Sequence, residues 1–207
     1  METFKLKESA TADSRVPKFS WGSNVCSTAV EPMCYNKFIT ESNSEWLQSL
    51  SDSIKDLENQ YPAHGEEYDR KRAELKKRAS IWTPLGYCEG TRADTATKAT
   101  GDAFLDIDHY DGDIQEFMRS KLTADFCHAQ GIWFATVSIG GDGGHIHFHL
   151  RDGETPSTGM QRIADALGIT EYDSSVKNVS RCCFMTPQSY WIVTPTEEDF
   201  YFTNAQE

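Results

Sequence analysis

A short apolar stretch that ends in two carboxylates, Phe-Leu-Asp-Ile-Asp at positions 104–108, constrains the fold of this chain more than any other feature. Because alternate residues of a strand point to the same face, we expect Asp106 and Asp108 to lie side by side, with Ile107 directed into the core. Their Cα atoms would be about 6.5 Å apart. Such a pair suits one or two hard divalent cations, which take oxygen ligands. The alternative interpretation is a strand that simply runs out into a polar loop, where Asp is common.

A glycine-rich segment at 140–144 precedes a strand-like segment that carries His145, His147 and His149. Gly143 and Gly144 allow the backbone to turn tightly and to approach a ligand, and successive amides in such a turn can form an anion site. His145 would then donate a hydrogen bond to a phosphate oxygen. Two alternatives stay open, namely a hairpin whose next strand exposes its histidines, and a zinc site. The three histidines span about 13 Å along a strand, so at most two can share one ion.

A third polar segment, residues 172–181, has an acid near its start and an arginine at its end. Asp173 follows a predicted helix and can complete a metal site of three carboxylates. Arg181 opens a predicted strand, and its planar guanidinium group can clamp a phosphate. An Asp in such a place is more commonly a turn or capping residue, so this segment is weak evidence when it is taken alone.

The 207 residues, of which 38% are hydrophobic, suffice for one domain with a buried core. No apolar run approaches the roughly 18 residues that cross a bilayer, and the first residues lack the apolar core of a signal peptide. We therefore expect a cytoplasmic protein with no membrane partner. The cysteines form no Cys-x-x-Cys pair, which favours reduced thiols and argues against a structural zinc site built on cysteine. They are Cys26, Cys34, Cys88, Cys127, Cys182 and Cys183.

The formal net charge of −12 argues against a protein that binds nucleic acid broadly through charge alone. A local basic groove is still compatible with this balance, and Arg92 and Lys98 lie shortly before the Asp strand. A basic cluster falls within a predicted helix, where we expect it to be a solvated helix face. Its members are Lys71, Arg72, Lys76, Lys77 and Arg78.

Hydrophobic periodicity predicts an N-terminal arm and helical subdomain over 1–79 and a core over 80–207, within a single domain. Ser44 caps a predicted helix over 45–59, and a second helix over 66–79 directs Tyr68, Ala73 and Leu75 inward. Residues 21–40 give a weak strand signal. Further helices are expected over 112–122 and 157–167, the latter ended by Gly168. Strands are expected over 132–139, 145–150, 181–185 and 190–193, and a strand interrupted by a turn over 81–87. This order predicts an α+β fold with a mixed or antiparallel sheet flanked by helices.

The three polar segments together resemble the signature motifs of the archaeo-eukaryotic primase superfamily. They occur in that family's order: the Asp106-Ile107-Asp108 strand, a small-residue turn into His145, and Asp173 followed by Arg181. From about residue 75 to residue 193, the chain is more closely similar to the primase-like domain that precedes virulence-associated-E-type helicases and occurs in related mobile-element proteins. The closer match is carried by the glycine-rich turn and by Ala-Phe-Leu-Asp-Ile-Asp-His-Tyr at 103–110 and Asp-Ser-Ser-Val-Lys-Asn-Val-Ser-Arg at 173–181.

The resemblance implies a primase-polymerase-like core that performs metal-dependent nucleotidyl transfer in the replication of a mobile element or phage. Its implied substrates are nucleoside triphosphates and single-stranded DNA, as for a DNA primase, and a helicase is a candidate partner. The implied catalytic and metal-binding residues are Asp106, Asp108 and Asp173, which would hold Mg²⁺ or Mn²⁺. The implied nucleotide-binding residues are His145, Gly143, Gly144, Arg181 and His147.

The chain departs from the closer relatives after Arg181, where they tend to carry an acidic residue and this chain has Thr-Pro-Gln-Ser at 186–189. Two other functions stay open. The first is a catalytically silent relative that binds a nucleotide or nucleic acid and regulates a replication or defence partner. The second is a His-dependent zinc hydrolase built on His145 and His147.

Overall fold

Two four-stranded sheets, both made of antiparallel pairs, form the framework of the protein. The computed structural model describes residues 15–61, 65–108 and 110–202, so residues 1–14 of the predicted arm lie outside it. The strands are β1 (Phe19–Gly22), β2 (Glu31–Met33), β3 (Ile81–Trp82), β4 (Gly86–Cys88), β5 (Thr97–Ala99), β6 (Asp102–Ile107), β7 (Ile132–Val137), β8 (Gly144–His149), β9 (Cys183–Phe184) and β10 (Trp191–Val193). The first sheet has the order β10-β7-β8-β6 and the second β2-β1-β3-β9, while β4 and β5 pair separately.

Six α-helices lie in the described part of the chain, and with the sheets they make the fold α+β, which confirms the predicted class. They are α1 (Tyr35–Ser42), α2 (Glu45–Gln60), α3 (Glu66–Lys76), α4 (Ile114–Lys121), α5 (Ala124–Gln130) and α6 (Pro156–Leu167). Among the described residues, no helix combines the length and the apolar character needed to cross a bilayer.

The ends of the longest helices follow local sequence rules. The side chain of Ser44 accepts a hydrogen bond from the backbone of Leu47 and so caps α2, as predicted. At the start of α6, Thr155 and Thr158 form a reciprocal capping box. Gly168 ends α6 in the left-handed conformation with φ of 73°, which confirms the role predicted for it.

Three details of the predicted element order are wrong. The strand signal over 21–40 gives only the short β2 and the end of β1, and α1 occupies much of the remainder, because Phe38 packs on the aromatic rings of the core. Helix α5 is an additional helix, capped by Thr123 and ended by Gly131. Helix α3 ends at Lys76, three residues earlier than predicted. Ala73 is exposed, because the buried face of α3 is occupied by Tyr68 and Arg72, which are four residues apart.

An aromatic layer packs between the two sheets. Trp82 of β3 contacts Phe19, Phe38 and Phe134, with ring centroids 5.2, 5.1 and 6.1 Å away. The opposite face of the first sheet is covered by α6, where Gly159 lies so close to Phe148 that an added Cβ would come within 2.8 Å of its ring. The first sheet is therefore covered on both faces, and the polar side chains in the middle of its strands have little access to water.

Candidate functional site

The structure brings the carboxylates of Asp106, Asp108 and Asp173 together, with one oxygen of each within 4.8 Å of the others. Asp106 is the penultimate residue of β6, and Asp108 follows the strand. The backbone amide of Asp173 donates to the Asp106 carbonyl at 2.9 Å, which fixes the distant 173 loop beside the strand end. The Ser175 amide donates to a carboxylate oxygen of Asp173 at 2.8 Å and orients that side chain. Two acids at one strand end and a third from a distant loop thus form one cluster, which we call the acid cluster.

His145 lies directly beside the acid cluster. The antiparallel register of β6 and β8 places it opposite Asp106, and its Nε2 is 3.2 Å from the Asp106 Oδ1 atom. Both side chains are largely buried, with 10% and 14% of their surfaces exposed. The register of β6 and β8 alone accounts for this contact, because residues directly opposite each other on neighbouring strands have adjacent side chains.

Positive charge offsets part of the acid cluster. Burial acts to raise the pKa of Asp106, but His145, Arg181 and Lys76 together outweigh it, so the net pKa of this carboxyl is lowered. Arg181 places a guanidinium nitrogen 3.3 Å from Asp173. Burial lowers the pKa of Lys76, helped by the neighbouring charge of Arg72, while nearby acids of the cluster oppose that shift.

Lys76 is partly buried at the end of α3 and near enough to Asp106 and Asp108 for their charges to affect its pKa. The predicted solvated helix face is wrong for Arg72, which is buried and forms an ion pair with Asp142 of the glycine-rich turn. The signal was present in the spacing, because positions 72 and 76 are one helical turn apart and share the buried face of α3 with Tyr68.

The glycine-rich turn is held close to the end of the Asp strand. A Cβ added to Gly143 would lie 2.2 Å from the Ile107 carbonyl oxygen, and one added to Gly144 would lie 2.6 Å from the Met118 sulfur. The Ser138 amide donates to the Gly143 carbonyl at 2.8 Å. Close packing thus requires glycine at both positions, independently of any nucleotide that the turn binds.

The remaining histidines of β8 have different surroundings. His147 is 1% exposed and stacks on Phe104 and Phe134. Burial lowers the pKa of His147 well below its usual range, so this ring is neutral at physiological pH. His149 is about half exposed and lies 2.6 Å from an oxygen of Asp102 at the far end of β6, so it does not belong to the acid cluster.

A polar cavity of about 510 Å³ lies on the Arg181 side of the site. Arg92 spans its wall, donating to the Cys182 sulfur and the Val25 carbonyl, both at 2.6 Å. Arg181 thus borders both the cavity and the acid cluster. The lining residues are Val25, Ile81, Arg92, Asn178, Ser180, Arg181, Cys182 and Phe184.

No protein-family model, no curated protein and no solved structure matches this chain. The arrangement of the site residues is therefore the basis for its proposed function.

Proposed function

We propose that the chain is a divalent-cation-dependent nucleotidyltransferase of the primase-polymerase kind, acting on nucleoside triphosphates and single-stranded DNA. The observation that carries this proposal is the convergence of Asp106, Asp108 and Asp173 beside His145. Strand pairing and one backbone hydrogen bond bring these distant segments of the chain together. The three carboxylates are suited to a hard divalent cation, and the neighbouring imidazole is suited to donate a hydrogen bond to an anionic substrate.

The donor set fits Mg²⁺ or Mn²⁺. Oxygen ligands from carboxylates are what these ions prefer, and three of them within 4.8 Å of one another can surround an ion after small side-chain adjustments. Three like charges so close together also repel one another, which a bound cation relieves. When bound, the cation would lower the pKa of the attacking 3′-hydroxyl and offset charge on the pyrophosphate leaving group.

The chain's own residues supply the other requirements of the reaction. His145 is held by the sheet with its Nε2 edge toward the acid cluster, where it can donate to a phosphate oxygen. Arg181 is 43% exposed and holds Asp173 through a single guanidinium nitrogen at 3.3 Å, so its guanidinium can turn to a triphosphate. Lys76 adds a positive charge beside Asp106 and Asp108. The cavity beyond Arg181 offers space for the nucleoside or for a template strand.

A catalytically silent relative that binds a nucleotide and regulates a replication or defence partner is the second candidate. The net charge of −12 favours it, because an acidic surface weakens the hold on a template strand. A zinc hydrolase built on His145 and His147 has less support, since His147 is 1% exposed and a hydrolytic zinc needs an open position for substrate.

The test is incorporation of labelled nucleotide on primed and unprimed single-stranded DNA with Mg²⁺ or Mn²⁺. We expect wild type to extend or prime strands and Asp106→Asn to lose at least about 100-fold in rate, since removing a charged ligand disturbs the cation. Asp165→Asn, a change of an exposed acid on α6, is the matched control and should keep full activity.

Calorimetric titration with a nucleoside triphosphate and Mn²⁺ separates the two candidates. Binding without incorporation, on any template and with either ion, would establish the silent module and refute the polymerase proposal. Absence of both binding and incorporation in the folded wild type would remove both candidates.

A further inference from the structure

Behind the acid cluster lies a second group of potential ligands, formed by His145, His147 and Cys183. One ligand atom from each lies within 4.8 Å of the other two, and all three residues are buried. His145 and His147 project from the same face of β8, and Cys183 comes from β9 of the other sheet, where it pairs with Trp82. The group therefore forms where the two sheets meet, and we call it the buried triad.

The histidines of the buried triad have nitrogen atoms without partners. Among the described residues, nothing hydrogen-bonds to Nδ1 or Nε2 of His147 or to Nδ1 of His145. Aromatic rings surround His147, with Phe104 and Phe134 stacked at 5.2 Å and Trp82 at 4.9 Å. Buried polar groups are nearly always satisfied in native proteins, so an imidazole with two unpartnered nitrogens calls for an explanation.

A metal ion would give one nitrogen of each histidine a partner. We propose that the buried triad binds a zinc ion, with one nitrogen from each histidine and the Cys183 sulfur as three of its four ligands and a water molecule as the fourth. Two imidazoles and a thiolate are the ligands that zinc takes, whereas Mg²⁺ and Mn²⁺ prefer oxygen. Ligand atoms of a tetrahedral zinc lie roughly 3.3–3.8 Å apart, so the atoms need only a small inward movement from their present spacing. On binding, the ion displaces the thiol proton of Cys183 to solvent.

The surroundings of His145 agree with this assignment. Histidines that bind a metal through one nitrogen usually present the other to a carboxylate, which fixes the orientation of the ring. His145 has its Nε2 atom 3.2 Å from Asp106, while its Nδ1 atom has no partner in the described part of the chain. The zinc would thus cross-link the two sheets and hold His145 against the acid cluster from behind.

Zinc content and cobalt spectroscopy of the purified full chain test the proposal. We expect about one zinc per chain after dialysis against metal-free buffer. Substitution by Co²⁺ should produce a thiolate-to-cobalt charge-transfer band in the near ultraviolet, which requires sulfur ligation. Cys183→Ser should lose that band and weaken zinc binding by at least about 10–100-fold, because the loss of a residue that merely hydrogen-bonds to a metal ligand already weakens binding by that factor.

Cys182→Ser is the matched control, because it changes the adjacent thiol and should leave the cobalt band and the zinc affinity unchanged. His147→Phe, which keeps the aromatic packing, should lose zinc as Cys183→Ser does. A wild type that retains no zinc and shows no thiolate band would overturn the proposal, and so would equal zinc affinity in the two cysteine variants. Neither result depends on nucleotide incorporation, so the acid cluster and the buried triad can fail separately.

Discussion

The close approach of Gly143 to the Asp strand leads to a sharp prediction for Gly143→Ala. A Cβ at position 143 would lie 2.2 Å from the Ile107 carbonyl oxygen, where ordinary contact begins at 3.4 Å, and 3.5 Å from the Asp108 Cα atom. The atom it meets is backbone and cannot rotate away, so the strand end or the turn must move by roughly 1 Å. We expect a loss of about 1–3 kcal/mol of folding free energy, the usual cost of overpacking.

The same displacement should disturb the acid cluster. Metal–ligand distances tolerate changes of only about 0.2 Å, so moving Asp108 by several times that amount should weaken Mn²⁺ binding at least tenfold. Urea unfolding in EDTA measures the first effect, and Mn²⁺ titration by electron paramagnetic resonance measures the second. Gly153→Ala is the control. The φ of 80° at this position should cost alanine about 1 kcal/mol of folding free energy. The added Cβ meets nothing within 4 Å, so Mn²⁺ affinity should stay unchanged. A Gly143→Ala protein with wild-type stability and Mn²⁺ affinity would show that this contact does not hold the acids in place.

Two further changes test the scaffold around the site. Ile146→Ala removes a fully buried side chain from the face of β8 opposite the histidines. Urea unfolding should show a loss of about 2–5 kcal/mol in folding free energy, with no change in Mn²⁺ affinity. A smaller loss would mean that the helical layer repacks freely. Glu154→Gln breaks the paired hydrogen bonds from Arg162 to Glu154, of 2.7 and 3.0 Å. Because Arg162 lowers the pKa of Glu154, the stabilisation is present above the unfolded-state pKa of about 4.3 and is lost as the pH falls through the lower folded value. Unfolding curves of the two proteins should therefore differ by about 1 kcal/mol or less at pH 7 and converge in acid, whereas a constant difference would assign the effect to packing.

Local pattern was sufficient for the elements that carry the acid cluster. The strand that contains Asp106 and the strand of alternating histidines each depend on residues within a few positions of one another, and so does the capped helix after Ser44, which lies outside the cluster. Helix α1 lies in a segment with a weak strand signal because its eight residues are too few for the helical period to outweigh nearby β-branched and aromatic residues. Packing of Phe38 in the core favours the helix.

The contacts between distant segments could not be derived from local pattern. Asp173 reaches Asp106 through one backbone hydrogen bond. The residues alone gave only weak evidence that Asp173 completes a site of three carboxylates, and the resemblance of the motif order to primases strengthened that prediction. Cys183 meets His147 only because β9 belongs to the second sheet, whose pairing joins strands far apart in the sequence. The spacing of the cysteines along the chain argues against a zinc site built on cysteine, but such spacing carries no information about a cysteine that meets histidines across two sheets.

The charge of the site bears on the order in which its ligands bind. Two unit charges 4.8 Å apart repel by about 3.5 kcal/mol at an effective dielectric of 20, so the acid cluster without a cation opposes the approach of a triphosphate. Arg181 and Lys76 offset only part of three negative charges, and the chain as a whole, with a net charge of −12, adds to the opposition. Under the proposed function, the cation must therefore bind before the triphosphate or together with it. The positive charge of the loaded site would then be local, so an acidic protein can attract a nucleotide there while the rest of its surface holds a template strand only weakly.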